Sequence, residues 1–231
     1  MKTRNSIGQH PAPVGVVLTV AVALFPGVLF GQVAARSPLR DFQVWSSFRA
    51  THPLRRRRDF FIAAGLRYGN DQGHMTYRRI TTGFDFHWSR ILTVQPYYQY
   101  SMSDSYSGSL DPENRLGIAL TLGVPWRHWQ VSDRNVGERR FLVNKQAWRY
   151  RNRLEFRRPI SMVREQLSVF AWDEVYFGSR AGRWYRNRVA LGAGRRLIDK
   201  VSVDVFYVHQ NDGFSPPDDL NGVGMALKTQ F

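Results

Sequence analysis

From about residue 40 onward the chain alternates between apolar and polar residues with a period of two. Between Arg79 and Trp88, the residues Ile80, Thr82, Phe84, Phe86 and Trp88 fall on one side; Arg79, Thr81, Gly83, Asp85 and His87 fall on the other. Successive side chains of a strand point to opposite faces, so this pattern predicts a strand with one apolar and one polar face. A tight Ser89-Arg90 turn follows. Leu92, Val94, Pro96, Tyr98 and Tyr100 then alternate with Thr93, Gln95, Tyr97 and Gln99. Pro96 has no N–H to give to a ladder and predicts a bulge. Leu116, Ile118, Leu120, Leu122 and Val124 alternate in the same way with Arg115, Gly117, Ala119, Thr121 and Gly123. Further strands are predicted near 41–50, 60–68, 129–141, 147–158, 166–177, 185–194, 201–210 and 221–231, giving eleven segments.

Segments of about ten residues have the length that a tilted strand needs to cross a bilayer. A soluble β-sandwich also alternates, but its strands usually run to about five or six residues. Here the polar faces carry arginines with matching acids, as a wet lumen would, and the apolar faces end in Trp and Tyr, as interface belts would. The expected architecture is therefore all-β: a closed antiparallel up-and-down transmembrane β-barrel of 10–12 strands, an even count being the habit of bacterial single-chain barrels. Closure removes the strand edges that lipid cannot satisfy. Short connections at Ser89-Arg90, 125–128, 159–164 and 195–200 alternate with polar loops at 69–75, 102–113, 178–184 and 211–220. The short turns carry Arg55, Arg56, Arg57, Arg58, Arg90, Arg127, Arg164, Arg195, Arg196 and Lys200. The loops carry Asp71, Asp104, Asp111, Glu113, Asp212, Asp218 and Asp219, with Lys145, Arg180 and Arg183 against the trend. The last strand places Val223, Met225, Leu227 and Thr229 on the face of Phe231, an ending of the kind that barrel-assembly machinery reads.

The first 35 residues differ. Lys2 and Arg4 precede an apolar stretch from Val14 to Phe30, and small residues close it at Ala34-Ala35. This reads as a secretory signal peptide, cleaved after Ala35, leaving a single barrel domain over residues 36–231. Export removes the nucleic-acid reading that a net charge of +15 would otherwise suggest and leaves outer-membrane lipid and lipopolysaccharide as the anionic partners. The chain has no cysteine, which excludes disulfides, Cys-based metal sites and a Cys nucleophile. No cofactor or metal is called for, and a monomer is expected.

The polar faces hold the candidate chemistry. Arg149, Arg151, Arg153, Glu155 and Arg157 share one face, opposite Tyr150, Leu154 and Phe156. Arg134, Glu138 and Arg140 share a face on the preceding strand, and Ser168, Phe170, Trp172 and Glu174 on the following one; Arg186 and Arg188 come next. Folding the strands antiparallel about their connections puts Glu138 near Arg151, Arg134 near Glu155, and Glu174 between Arg149 and Arg188. Cross-strand neighbours about 5 Å apart allow bidentate arginine pairing. The expected site is a lumen charge ladder of Arg134, Glu138, Arg149, Arg151, Arg153, Glu155, Glu174, Arg186 and Arg188, with Glu174 as one hub. It serves to fill the barrel and set its register, to line an anion-selective passage, or to form a catalytic pocket.

The same residues carry a family resemblance. Trp129-Gln130-Val131-Ser132-Asp133-Arg134-Asn135, Tyr150-Arg151-Asn152-Arg153-Leu154, Ala171-Trp172-Asp173-Glu174-Val175-Tyr176 and Arg186-Asn187-Arg188-Val189-Ala190-Leu191-Gly192 follow in order. That series resembles the bacterial domain-of-unknown-function family 2490, from Phe42 onward. The resemblance implies an exported outer-membrane barrel and brings no activity with it.

Enzyme signals are sparse. Asp85, His87 and Ser89 lie on one strand face, where same-face neighbours stand about 6.8 Å apart, too far to form a triad among themselves. His74 falls in a loop with no evident partner, and His209 falls near Asp212. HExxH, Gly-x-Ser-x-Gly and phosphate-loop motifs are missing from the sequence. Gly192-Ala193-Gly194 and Gly222-Val223-Gly224 read as strand glycines that ease packing. Acids in loops 102–113 and 211–220 suit either solvation or cation bridging to lipopolysaccharide, and the Arg55–Arg58 run suits either a solvated turn or an anionic envelope partner. The expectation is a structural or narrow-channel barrel; the alternatives are an outer-leaflet lipid-modifying enzyme and a surface-binding barrel acting through its loops.

Overall fold

The structure, a computed structural model, describes residues 40–69, 73–104, 110–162, 165–215 and 217–231. The expected signal peptide, Asp71 and Arg164 lie outside the described residues. Eleven strands follow one another: β1 (Arg40–Arg55), β2 (Arg58–Gly69), β3 (His74–His87), β4 (Leu92–Asp104), β5 (Leu110–Trp126), β6 (Trp129–Leu142), β7 (Lys145–Met162), β8 (Glu165–Gly178), β9 (Arg183–Ile198), β10 (Val201–Asp212) and β11 (Asp219–Gln230). Each pairs with its sequence neighbour, and β1 pairs with β11 to close the barrel.

The expectation of an even count and of antiparallel pairing throughout needs correcting at this seam. β1 and β11 run parallel, from Arg40 opposite Asp219 to Thr51 opposite Gln230. An odd number of up-and-down strands leaves the first and last pointing the same way, so closure requires one parallel pair. Evenly spaced, slanted hydrogen bonds replace the alternating antiparallel pattern there.

Side-chain parity separates two walls. Outward positions include Val44, Ile62, Ile80, Phe84, Leu116, Ile118, Leu120, Leu122, Val124, Val205 and Val223, all exposed. Trp88 and Trp126 mark the end with the short turns, and Trp148 and Trp184 the end with the loops; all four are exposed. The inward parity holds two apolar clusters: one of Trp45, Phe170, Trp172, Ala190, Val208 and Leu220 with Phe206 against it, the other of Phe61, Tyr97, Ala119 and Val136. Inward glycines make room for this filling. A Cβ on Gly224 would lie 2.2 Å from the Phe206 ring, and one on Gly117 would lie 2.3 Å from the Tyr97 ring. The expected bulge at Pro96 is not formed: the β3–β4 ladder lapses between Gly83–Tyr97 and Phe86–Val94 but resumes in the same register, so Pro96 costs pairing without inserting a residue.

Two-residue connections join β1 to β2 through Arg56-Arg57, β5 to β6 through Arg127-His128 and β6 to β7 through Val143-Asn144. Arg57, Arg127 and Asn144 have φ of 67°, 56° and 58°. Asn tolerates this left-handed region, whereas an arginine there strains its Cβ by roughly 1–2 kcal/mol. Arg127→Gly is therefore expected to raise the urea midpoint of the detergent-folded barrel, and Gly117→Val to lower it by displacing Tyr97. An R127G midpoint at or below that of the parent would show that the turn is not strained.

Candidate functional site

The inward parity of β4 to β9 carries the charge. Glu138, on β6, stands opposite Arg149 on β7. Its carboxylate accepts Arg149 Nε at 2.6 Å, Arg151 Nη2 at 2.9 Å and the Tyr97 hydroxyl at 2.6 Å. Tyr97 comes from β4 and reaches Glu138 by lying across Gly117 of β5, which is why that position cannot carry a side chain. Glu174, on β8, faces Arg153 on one side and Arg188 on the other. It pairs with Arg153 at 3.2 Å, Arg151 at 3.4 Å and Arg188 at 3.8 Å, and accepts the Tyr176 hydroxyl. Arg151 thus joins the two carboxylates, and Glu174 and Glu138 are only 1% and 3% exposed.

Three further pairings extend the network. Glu113 holds both Arg115, at 2.7 Å, and Arg140. Arg157 bridges Glu155, at 3.1 Å, to Asp204, at 3.0 Å, and Lys228 reaches the same Asp204 at 2.8 Å. Arg186 binds Asp212, through Nε at 2.7 Å. Elsewhere on the inner face Arg49 binds Asp85, which also accepts Gln95 at 2.5 Å.

The structure brings the nine expected ladder residues onto one inner wall, keeps Arg151 bonded to Glu138 and Arg188 opposite Glu174, and changes the other direct cross-strand partners. Glu138 faces Arg149 rather than Arg151, Arg134 faces Arg153 rather than Glu155, and Glu174 faces Arg153 rather than Arg149. The β6–β7 turn is one residue earlier than the sequence suggested, at Val143-Asn144, and β7 continues through Pro159 to Met162. A one-residue displacement of a turn moves every cross-strand partner by two, which preserves the face and changes the pair. Arg134 has no carboxylate among the described residues and donates to Gln95 at 2.8 Å.

Sequence reasoning passed over several members of the site. Arg67 stacks on Trp45 at 3.9 Å and on Tyr77 at 4.9 Å, and Arg79 folds across Gly65. Neither has a carboxylate partner among the described residues. Arg67 has Arg188 and Arg79 as its cationic neighbours, and Tyr77 is ringed by Arg115, Arg79, Arg67 and Arg149. The only advance sign was parity: Arg67, Tyr77 and Arg79 are polar positions on the inward face. A cavity of about 1130 Å³ runs past these side chains, from Arg180 and Phe214 towards the loops to Arg157 and Lys228 towards the turns.

His74 and His209 fall differently from expectation, whereas His87 stays apart from Asp85 and Ser89 as expected. His74 opens β3 and bonds Asp104. His209 points outward to Asn221 at 3.0 Å, on the opposite face from Asp212. His87 joins neither Asp85 nor Ser89; it sits between Asp59, at 2.9 Å, and Thr93, at 3.1 Å, on the two flanking strands. That acid–imidazole–hydroxyl row lies at the short-turn end and is not among the residues lining the lumen cavity. Arg55 to Arg58 form the exposed tip of the β1–β2 hairpin. No group of three or more His, Cys, Asp or Glu side chains suited to a metal occurs among the described residues.

A family profile described as "Protein of unknown function (DUF2490)" matches residues 42–221. The chain belongs to this family. In this DUF2490 chain the Arg and Glu of each motif point into the lumen, while the Asn and Asp between them point outward. No curated protein matches the chain. Among solved structures it is similar to the siderophore receptor PirA from Pseudomonas aeruginosa, at 9% identity and a TM-score of 0.28, over 72% of this chain and 33% of that one. The chain thus spans about a third of the length of that receptor.

Removing one partner from a buried ion pair costs roughly 3–5 kcal/mol, because the other charge is left uncompensated. Glu174→Gln leaves Arg153 and Arg188 in that position and is expected to destabilise the detergent-folded barrel by about that amount in urea titration. Glu138→Gln and Glu174→Gln share Arg151, so their combined effect is expected to depart from the sum of the single effects. Strict additivity would show that Arg151 does not couple them.

Proposed function

We propose that the protein is an outer-membrane β-barrel whose basic lumen takes up small anions and serves as a narrow, anion-selective passage. The observation carrying this reading is the uneven pairing inside the barrel. The β6–β9 wall matches most of its arginines with carboxylates, while Arg67 and Arg79 on the facing side, and Arg134, have none among the described residues. These guanidiniums border the long cavity, where a dissolved anion is the missing counter-charge. A closed sheet with an apolar outer wall and tryptophan belts at both ends supports placement in a membrane. Arginines at the short turns and acids at the loops support turns facing the periplasm, with lipopolysaccharide and its divalent cations beside the loops.

Planar-bilayer recording of residues 36–231 under a KCl gradient tests this. Stepwise conductance with a reversal potential favouring chloride is expected, and Arg67→Gln/Arg79→Gln is expected to move that potential towards the non-selective value. An inserted but silent barrel, or a cation-selective one, would overturn the proposal.

A further inference from the structure

At mid-height the outer wall is apolar across most strands, but β6 to β9 break the rule; β10 and β11 carry outward Asn211, Asp219 and Asn221 at their loop end, where Asn211 pairs with Asn187. Asp133 and Asn135 of β6, Asn152 of β7, Asp173 of β8 and Asn187 of β9 all stand on the outward parity, opposite the ladder residues. Register makes them one patch. Asn135 pairs with Asn152; Asn152 and Asn187 flank Val175; Asp133 and Asp173 flank Leu154. Their side chains are bonded to one another. Asn152 Nδ2 donates to Asp133 at 2.5 Å and to Asn135 at 3.1 Å, and Asn135 Nδ2 donates to Asp133 at 3.1 Å. Asn187 Nδ2 donates to Asp173 at 2.5 Å, and the Tyr150 hydroxyl donates to Asn135.

Position along the strands makes the patch anomalous. Asn135, Asn152 and Asp173 each lie near the middle of their strand, far from both the turn end and the loop end. Arg139 and Arg158 share this wall but stand nearer strand ends, where a long side chain reaches the interface. Asp and Asn are too short to do so, and lipid headgroups do not descend to mid-height. Neither Asp133 nor Asp173 has a cationic partner among the described residues. Polar groups at this depth are costly unless another protein surface covers them.

We infer that this mid-height patch on β6–β9 is a homotypic interface, on which a second copy of the chain packs. The hydrogen-bonding capacity left over identifies the occupant. Asn135 and Asn187 each retain an amide N–H, while Asp173 Oδ2 and the carboxamide oxygens of Asn152 and Asn187 retain acceptor capacity. Donors and acceptors therefore occur in the same patch. A two-fold axis normal to the membrane keeps every residue at its own height, so the patch meets itself. Amides and acids alternate across it, which lets an acid of one copy face an amide of the other. Interhelical side-chain hydrogen bonds hold membrane proteins together by the same means. Trp148 stacked on Phe177 at 5.4 Å, and Trp184 against Phe177 at 5.6 Å, extend the patch towards the loops with the aromatic residues that enrich interface cores. The inference rests on the outer wall facing lipid.

The absence of cysteine makes the test unambiguous. Leu154→Cys places a thiol between Asp133 and Asp173 while leaving every polar group of the patch intact; Ile118→Cys on β5 is the outward control. Both are inserted into phospholipid vesicles and treated with a lipid-permeable bis-maleimide. A band of twice the chain mass is expected for L154C and not for I118C. The band is expected to disappear when Asn135→Leu and Asn152→Leu are added to L154C, with the compact, heat-modifiable form of the barrel retained. A monomeric L154C, or a dimer that survives the two leucines, would overturn the interface. A cross-link in cell envelopes to a different protein, with none between copies, would overturn the choice of occupant. A charged, impermeant maleimide separates the underlying assumption: I118C that is protected from it keeps the lipid-facing wall, whereas free reaction removes the membrane reading itself.

Discussion

Closure of an odd number of strands is the constraint from which the rest follows. A sheet with eleven up-and-down strands cannot close antiparallel throughout, and an open sheet would leave two rows of backbone N–H and C=O without partners. The parallel β1–β11 seam resolves this, and it fixes where the elements go. The start of β1 lies at the loop end and the end of β11 at the turn end. The β1–β2, β3–β4, β5–β6 and β9–β10 connections therefore gather at one rim, with most of the turn arginines, while the two-residue β6–β7 turn and the loops with most of the loop acids lie at the other. Strand number also sets the interior. About eight strands enclose a space that side chains just fill; eleven enclose more, so filling by Trp45, Phe170, Trp172, Phe61 and Tyr97 leaves the long cavity beside the charged wall.

Within that interior, sharing explains how so many arginines are held. An isolated buried ion pair is weak evidence for stability, since desolvation offsets attraction. Here three carboxylates each serve two or three guanidiniums: Glu113 binds Arg115 and Arg140, Glu138 binds Arg149 and Arg151, and Glu174 binds Arg151, Arg153 and Arg188. Fewer acids are then desolvated per arginine, and the pairs tie the five strands β5 to β9 in one register. The Tyr97 hydroxyl adds a tie to β4 that spans β5 without bonding to it. The positive excess is thereby pushed to the opposite side, onto Arg67 and Arg79, which lean on Trp45, Tyr77 and Gly65 instead of on acids.

What the sequence made legible depended on period. A two-residue repeat announces strands and faces directly, so the number of segments and the inward parity of the ladder residues could be read from composition along the chain. Register depends on turns, and Val143-Asn144 does not announce itself as a turn in the way Asn-Gly does, so Glu138 and Glu174 were each given a neighbour two or four residues from the observed one. Contacts between non-adjacent strands were invisible for a different reason. Tyr97 to Glu138, Arg134 to Gln95 and Arg49 to Asp85 each reach over one intervening strand on the concave inner face, which curvature brings together. His87 shows the same limit on a smaller scale, since its partners Asp59 and Thr93 lie on the strands to either side and not along its own.

The family motifs gain a physical meaning from parity. In Asp133-Arg134-Asn135, Arg151-Asn152-Arg153, Asp173-Glu174 and Arg186-Asn187-Arg188, polar residues occupy both faces of the strand, whereas on β5, β10 and β11 outward polar residues such as Asn114, His209, Asn211 and Asn221 stand towards the loop end. The inward members answer to one another through the ladder. The outward members also bond among themselves, yet a wall whose only demand was contact with lipid would carry Leu or Val there, as β5 does with Leu116, Ile118, Leu120 and Leu122 at comparable positions. Register pinning does not account for them, because the inner ladder already fixes β6 to β9. A polar outer row over the sector that the inner ion pairs tie together is the arrangement expected, on the proposed interface, of a surface presented in fixed geometry to a second copy of the chain.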